Sequence, residues 1–218
     1  MTTLTKDATV SKNGSTVPGQ DMPITLPAMK VQTIMLKLVG DSQLVCHAWD
    51  DKAKQMMLDK QMKKGKQGKE AKDPEQCYRA SLYTLTPPTN ESLKHGIDDG
   101  VYGFPAIAFK KAAVTACTSI DGMTKVMARQ TFHVVGEYVV IEGQPFMRSD
   151  MVRIAMGTAD IRFRGEFKQW TTNVTVRFNS SVISAEQIVH LFNTAGFAVG
   201  VGENRPEKNG SWGMFHVE

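Results

Sequence analysis

Trp170 to Phe178 alternates without a break: Trp170, Thr172, Val174, Val176 and Phe178 fall on one side, and Thr171, Asn173, Thr175 and Arg177 on the other. That order suits an extended strand with one buried face and fits no helix. Shortly after it, Ser184 and Gln187 stand at capping-box spacing, where serine and glutamine side chains satisfy free backbone N–H groups reciprocally. The helix so opened carries Ile188, Leu191, Phe192 and Ala195 as its apolar stripe and is expected to stop at Gly196. Phe197 to Val201 then reads as a short strand, and Trp212 to Val217 as the final strand beyond a charged, glycine-rich loop. The chain therefore closes with strand, helix and strand, a combination that constrains the rest.

The earlier elements supply a matching half. Val31 to Val39 alternates as a central strand, Gly40-Asp41-Ser42 breaks it, and Leu44-Val45-Cys46 briefly continues it. Ala53, Met56, Met57 and Met62 suggest a helix from about Asp50 to Met62 that dissolves into Lys63 to Lys72, and a weaker helix covers Pro74 to Leu82. Gly100 to Gly103 leads into a predicted helix over Phe104 to Cys117, with Pro105 in its first turn. Phe132 to Ile141 is one or two strands, while Arg153 to Phe163 fits no single period. The expected fold is α+β: a ferredoxin-like or RRM-like βαββαβ antiparallel sheet with helices on one face and a Lys-rich helical insertion at about 47–99. A single domain over 30–218 would follow a mobile arm, 1–29, rich in Thr, Ser, Gly and Pro.

Several classes are disfavoured. No apolar run nears the ~20 residues that span a bilayer, and Met1 to Gln20 lacks the basic-then-apolar order of a secretory signal. The cytoplasm is the expected compartment, the host's if the chain is viral. Cys46, Cys77 and Cys117 form no CxxC pair, which favours buried free thiols over a disulfide framework or zinc site. Neither a phosphate loop nor a nucleophile elbow occurs, so no enzyme activity, cofactor or metal is expected. A metal-dependent nuclease built on His47, Asp50 and Asp51 is a minor alternative.

The net charge is only +4, but it is unevenly distributed. Asp51 to Lys72 holds eight lysines, Lys63, Lys64, Lys66 and Lys69 among them, against three carboxylates. Such a patch suits a phosphate backbone, whose condensed counterions are released on binding, and equally suits a solvated insert. Arg162 and Arg164 alternate with Ile161 and Phe163; with Arg177 they would share one sheet face, either as a nucleic-acid surface or as a paired, solvated edge. Gly200, Gly202, Gly210 and Gly213 surround Arg205 and Lys208, either as an anion-binding loop or as a hairpin with glycines in its turn. Gly103-Phe-Pro-Ala-Ile-Ala-Phe-Lys110-Lys111-Ala could place two lysines near a helix start, or simply on a surface face.

Three of these pieces together carry a resemblance. The first strand ending in Gly-Asp-Ser-Gln-Leu, the Gly-Phe-Pro-x-x-x-Phe-Lys-Lys-Ala helix and the closing glycine loop resemble the RAMP superfamily, the RRM-like backbone and processing subunits of CRISPR effector complexes. As a whole the chain also resembles small temperate-phage or prophage proteins. It departs from the family by placing Glu203-Asn204 and Trp212-Gly213-Met214 in the glycine loop, where basic residues and Gly-Phe-Gly-Arg are usual. The resemblance implies sequence-independent binding of single-stranded RNA or DNA, and a homo-oligomer or a subunit of a ribonucleoprotein. It implies that Lys110, Lys111, Arg205 and Lys208 face phosphate and that the Lys63–Lys72 insert acts as a thumb. A phage structural protein packing through sheet edges and its N-terminal arm is the other expectation.

Overall fold

The computed structural model describes residues 28–49, 51–63, 71–154 and 157–218. Along the chain run β1 (Val31–Gly40), β2 (Leu44–Val45), α1 (Asp51–Gln61), α2 (Pro74–Ser81), β3 (Tyr83–Thr86), α3 (Asn90–Lys94), β4 (Val101–Pro105) and α4 (Ala106–Ala116). They are followed by α5 (Lys125–Thr131), β5 (Phe132–Val134), β6 (Tyr138–Glu142), β7 (Pro145–Ile154), β8 (Thr158–Phe167), β9 (Thr171–Asn179), α6 (Ala185–Ala198) and β10 (Phe215–Val217). Lys64, Lys66, Lys69 and most of the expected N-terminal arm lie outside the described residues.

The larger sheet is antiparallel, in the order β10-β1-β9-β6-β4-β3, with β5 also beside β9. Phe132 of β5 faces Phe178 and Ile141 of β6 faces Thr172, so β5 and β6 are two halves of one interrupted strand along β9. Counted once, they give β1, α4, β5/β6, β9, α6, β10: the ferredoxin-like βαββαβ order, widened at one edge by β4 and β3. α4 and α6 pack side by side. Leu38, Val174 and Phe178 from the sheet meet Phe109 of α4 and Ile188, Leu191 and Phe192 of α6 in one buried cluster. Aromatic edges knit it together, with ring centroids 5.7 Å apart for Phe109–Phe215 and 6.2 Å for Phe132–Phe192.

Three local expectations are corrected. The Gly-Phe-Pro segment is strand β4 and not helix, because proline forces the residue before it out of the α region; the helix begins only at Ala106. α6 does not stop at Gly196. It continues to Ala198, so no strand forms over 197–201. Gly196 is there for proximity: a Cβ would lie 1.7 Å from the Phe215 carbonyl oxygen, so its absence lets β10 rest against the helix. The last strand is accordingly only Phe215–Val217.

The stretch with no clear period is a long hairpin, β7 paired with β8, which together with β2 makes a second, three-stranded sheet. Its register sets Arg148 opposite Arg164 and Asp150 opposite Arg162. One face is thus an alternation of charges, and the other carries Met147, Met151, Ile161 and Phe163. Arg162 and Arg164 therefore do not share a face with Arg177, which sits on β9 in the other sheet. The Lys-rich segment is pinned to this hairpin at its end, where Lys72 donates to Asp160 Oδ1 at 2.7 Å and to the Ile161 carbonyl at 2.5 Å. Cys46 and Cys117 are buried free thiols, and Cys77 is half-buried.

A polar clamp joins α2 to β4. Arg79 donates to Asp98 at 2.5 Å, and the Tyr102 hydroxyl donates to the same carboxylate at 2.8 Å. Burial alone would raise the Asp98 pKa, but these bonds and the Gly100 N–H outweigh it and hold the carboxyl below its ordinary value. A depressed carboxylate adds stability above its unfolded pKa, and that stability fades as pH falls through the lower folded value. Asp98→Asn should therefore cost about 1.5–3 kcal/mol at neutral pH. In urea titrations, its difference from the parent protein should shrink below about pH 4. A gap that stays constant through that range would contradict the assignment.

Candidate functional site

Beside the larger sheet lies a cleft of about 750 Å³. α4 forms one wall with Ile107, Ala108, Lys110, Lys111, Ala112 and Thr115, α5 adds Lys125 and Arg129, and the opposite wall is the loop Val199 to Glu207. His47, Tyr83 and Phe104 line it as well. Five cations, Lys110, Lys111, Lys125, Arg129 and Arg205, thus meet two carboxylates, Glu203 and Glu207.

Both carboxylates are already engaged. Arg205 donates to Glu207 Oε2 at 2.7 and 3.0 Å, and to the Gly202 carbonyl at 3.1 Å. Glu203 Oε1 lies 3.2 Å from His47 Nδ1, and Glu203 Oε2 lies 3.7 Å from Arg164. The hydrogen bond with His47, helped by the Arg164 charge, holds the Glu203 carboxyl below its ordinary pKa against the effect of burial. On the other wall, Lys110 Nζ donates to the Arg129 carbonyl at 3.2 Å and sits 2.9 Å from His133 Nδ1. Burial lowers the Lys110 pKa, and burial with the neighbouring Lys110 and Arg177 lowers that of His133. Lys111, Lys125 and Arg129 are exposed. The cleft is therefore lined by cations more than by free anions.

The glycine loop shapes this wall rather than presenting a row of free N–H groups. Gly200, Val201, Glu203 and Glu207 N–H donate to the carbonyls of Ala195, Gly213, Val45 and Val199. The Gly-Asp-Ser-Gln-Leu strand end supplies the matching anchor: Gly213 N–H donates to the Gln43 carbonyl at 2.8 Å, and Met214 N–H to Ser42 Oγ at 3.0 Å. Motifs that lie far apart in the sequence thus form one folded unit.

The structure brings together Lys110, Lys111 and Arg205 of the predicted residues. Lys208 is exposed at the end of a short 3-10 turn and does not line the cleft. Lys63 follows α1 and is not among the residues that line the cleft. Arg162 reaches Asp160 at 3.7 Å. Arg164 is withdrawn: only 8% of its side chain is exposed, and it lies 3.6 Å from Asp150. Arg148 bridges Asp150 and Glu166 and stacks 4.1 Å over Trp212, tying the hairpin to the closing loop. Lys125 and Arg129 went unpredicted, although Thr124 as a helix cap and the four-residue spacing of the two cations were legible. Nothing local marked His47 or Tyr83 as belonging here.

For the nuclease alternative, Asp50 lies outside the described residues, and His47 is occupied with Glu203. Among the described residues no group of three or more His, Cys, Asp or Glu is placed to hold a metal, and no helix is long and apolar enough to cross a membrane.

Together the fold and the cleft define an α+β domain of ferredoxin-like order with a cationic groove between a helix pair and a glycine-rich closing loop. No protein-family model and no curated protein matches the sequence. Among solved structures the chain is similar to Cmr6 from Pyrococcus furiosus, at 10% identity and a TM-score of 0.43, over 88% of this chain and 100% of that one. At that level the likeness transfers no property to this chain.

Proposed function

We propose that this chain binds single-stranded RNA or DNA along its sugar–phosphate backbone, independently of sequence and without catalysis, as a self-assembling RAMP-type subunit in the cytoplasm. The observation that carries the reading is the cleft itself. Five cations from three separate segments converge on it against two carboxylates; Glu207 pairs with Arg205 and Glu203 with His47, which leaves Lys111, Lys125 and Arg129 exposed along it. A polyanion is the ligand such a groove favours, because it displaces its counterions there. The three motifs that resemble the RAMP superfamily contribute the helix wall, the loop wall and the loop's anchor.

Self-assembly has a physical opening as well. The even-numbered residues of β1 bond to β9, so the backbone groups of Val31, Thr33 and Met35 point to the other side, beyond the last bond from Glu218 N–H to the Lys37 carbonyl. Among the described residues no strand pairs with that stretch of β1; such an edge accepts another strand, and β1 of a second copy is the strand proposed to add there.

The test is binding of a labelled oligouridylate and an oligodeoxythymidylate followed by anisotropy across a salt series, with sedimentation of the same mixtures. Three to five phosphate contacts on a single strand predict a loss of about 20- to 100-fold between about 50 and 200 mM salt. Complexes should contain more than one protein copy per strand. Absent or salt-independent binding would remove the proposal.

A further inference from the structure

We infer that the groove between Trp49, Tyr83 and Tyr138 is a stacking site for an unpaired nucleobase of the strand whose backbone lies in the cationic cleft. This rests on the binding reading above and adds to it a second subsite of different chemistry. The groove measures about 480 Å³, within the range of small-ligand sites, and Lys54 stands beside it. Trp49 is 64% exposed and Tyr138 41% exposed. An indole left largely in water beside two more aromatic rings is an unsatisfied apolar surface of the kind that marks a binding site.

What fixes the occupant is continuity with the cleft. Tyr83 lines both concavities, and the chain passes from His47 in the cleft directly to Ala48 and Trp49 in the groove. The partition is held in place: Ala48 N–H donates to the Ser81 carbonyl at 2.8 Å, and the Tyr83 hydroxyl to the His47 carbonyl at 3.4 Å. The Tyr83 ring is braced edge-on against Phe104 at 5.5 Å and lies 5.9 Å from Tyr138. A ligand spanning both subsites needs negative charge at one end and a flat π-system at the other. A nucleotide within a strand has both, and stacking accepts any base, in keeping with sequence-independent binding.

The test uses the full chain and two probes: a short oligodeoxythymidylate, and an abasic strand with the same sugar–phosphate backbone. The base-bearing strand should quench the solvent-exposed Trp49 emission, and the abasic strand should bind without doing so. Trp49→Ala should weaken the base-bearing strand by about 5- to 150-fold, the range for losing one stacked base. The same variant should leave abasic binding unchanged, and Trp49→Phe should restore most of the affinity. If both strands bind the parent and Trp49→Ala alike, with Trp49 emission unmoved, the stacking site is refuted while strand binding stands. If neither strand binds, both ideas fall. Quenching by a proline-rich peptide but not by the oligonucleotide would also overturn the assignment.

Discussion

Gly213→Ala is expected to destabilise the protein by about 3–5 kcal/mol, a large share of the 5–15 kcal/mol that holds a typical domain together. Two costs combine. Gly213 has φ +65°, a left-handed conformation that costs a residue with a Cβ about 1–2 kcal/mol. The added Cβ would also stand 1.7 Å from the Val201 carbonyl oxygen, so the backbone must move. It cannot move cheaply, because Gly213 accepts from Val201 N–H at 2.9 Å and donates to Gln43 at 2.8 Å. Displacement breaks the link between the closing loop and the end of β1. The melting temperature should fall by about 6–20 °C for a domain of this size, and oligonucleotide binding should weaken as the loop wall loosens. Gly122→Ala is the matched control: its φ is +83°, yet nothing lies within 4 Å of the added carbon, so it should cost only about 1 kcal/mol. Equal losses at the two positions would show that backbone conformation alone, and not the close approach at Gly213, sets the effect.

The combined replacement Lys111→Ala, Lys125→Ala and Arg129→Ala should weaken binding to a single strand by about 100-fold at about 0.1 M salt. Each phosphate contact contributes a salt slope of about −0.7, worth about fivefold at that concentration, so three contacts multiply to that figure and the log–log slope becomes shallower by about 2. All three side chains are exposed, so the melting temperature should barely change. Lys208→Ala is the control, an exposed lysine on the closing loop that does not line the cleft. Should Lys208→Ala match the triple variant, the binding track would lie somewhere other than this cleft.

Much of the fold was legible because its signals are local. The alternation of Trp170 to Phe178 is the inner face of β9, and Ser184 with Gln187 forms the capping box of α6. The missed elements had their cause outside their own segment. Gly196 resembles a helix terminator, yet what calls for it is a carbonyl of β10 about twenty residues on. The β7–β8 hairpin hides its role because its charges, Arg148, Arg164 and Glu166 among them, face inward, while the apolar side of its alternation, Met147, Met151 and Ile161, is the exposed one.

The candidate site divides along the same line. By themselves, the residues determined two interleaved strand–helix–strand units, the helix that presents Lys110 and Lys111, and a glycine-punctuated close holding Arg205. Tertiary structure alone decided which cations act together: it brought α5 alongside α4, set Tyr83 on both the cleft and the groove that holds Trp49, and withdrew Arg164 into ion pairs with Asp150 and Glu203. The physical reason is range. Helix caps and strand periods are satisfied within a few residues, whereas a charge has its meaning fixed by whatever folding places a few ångströms away.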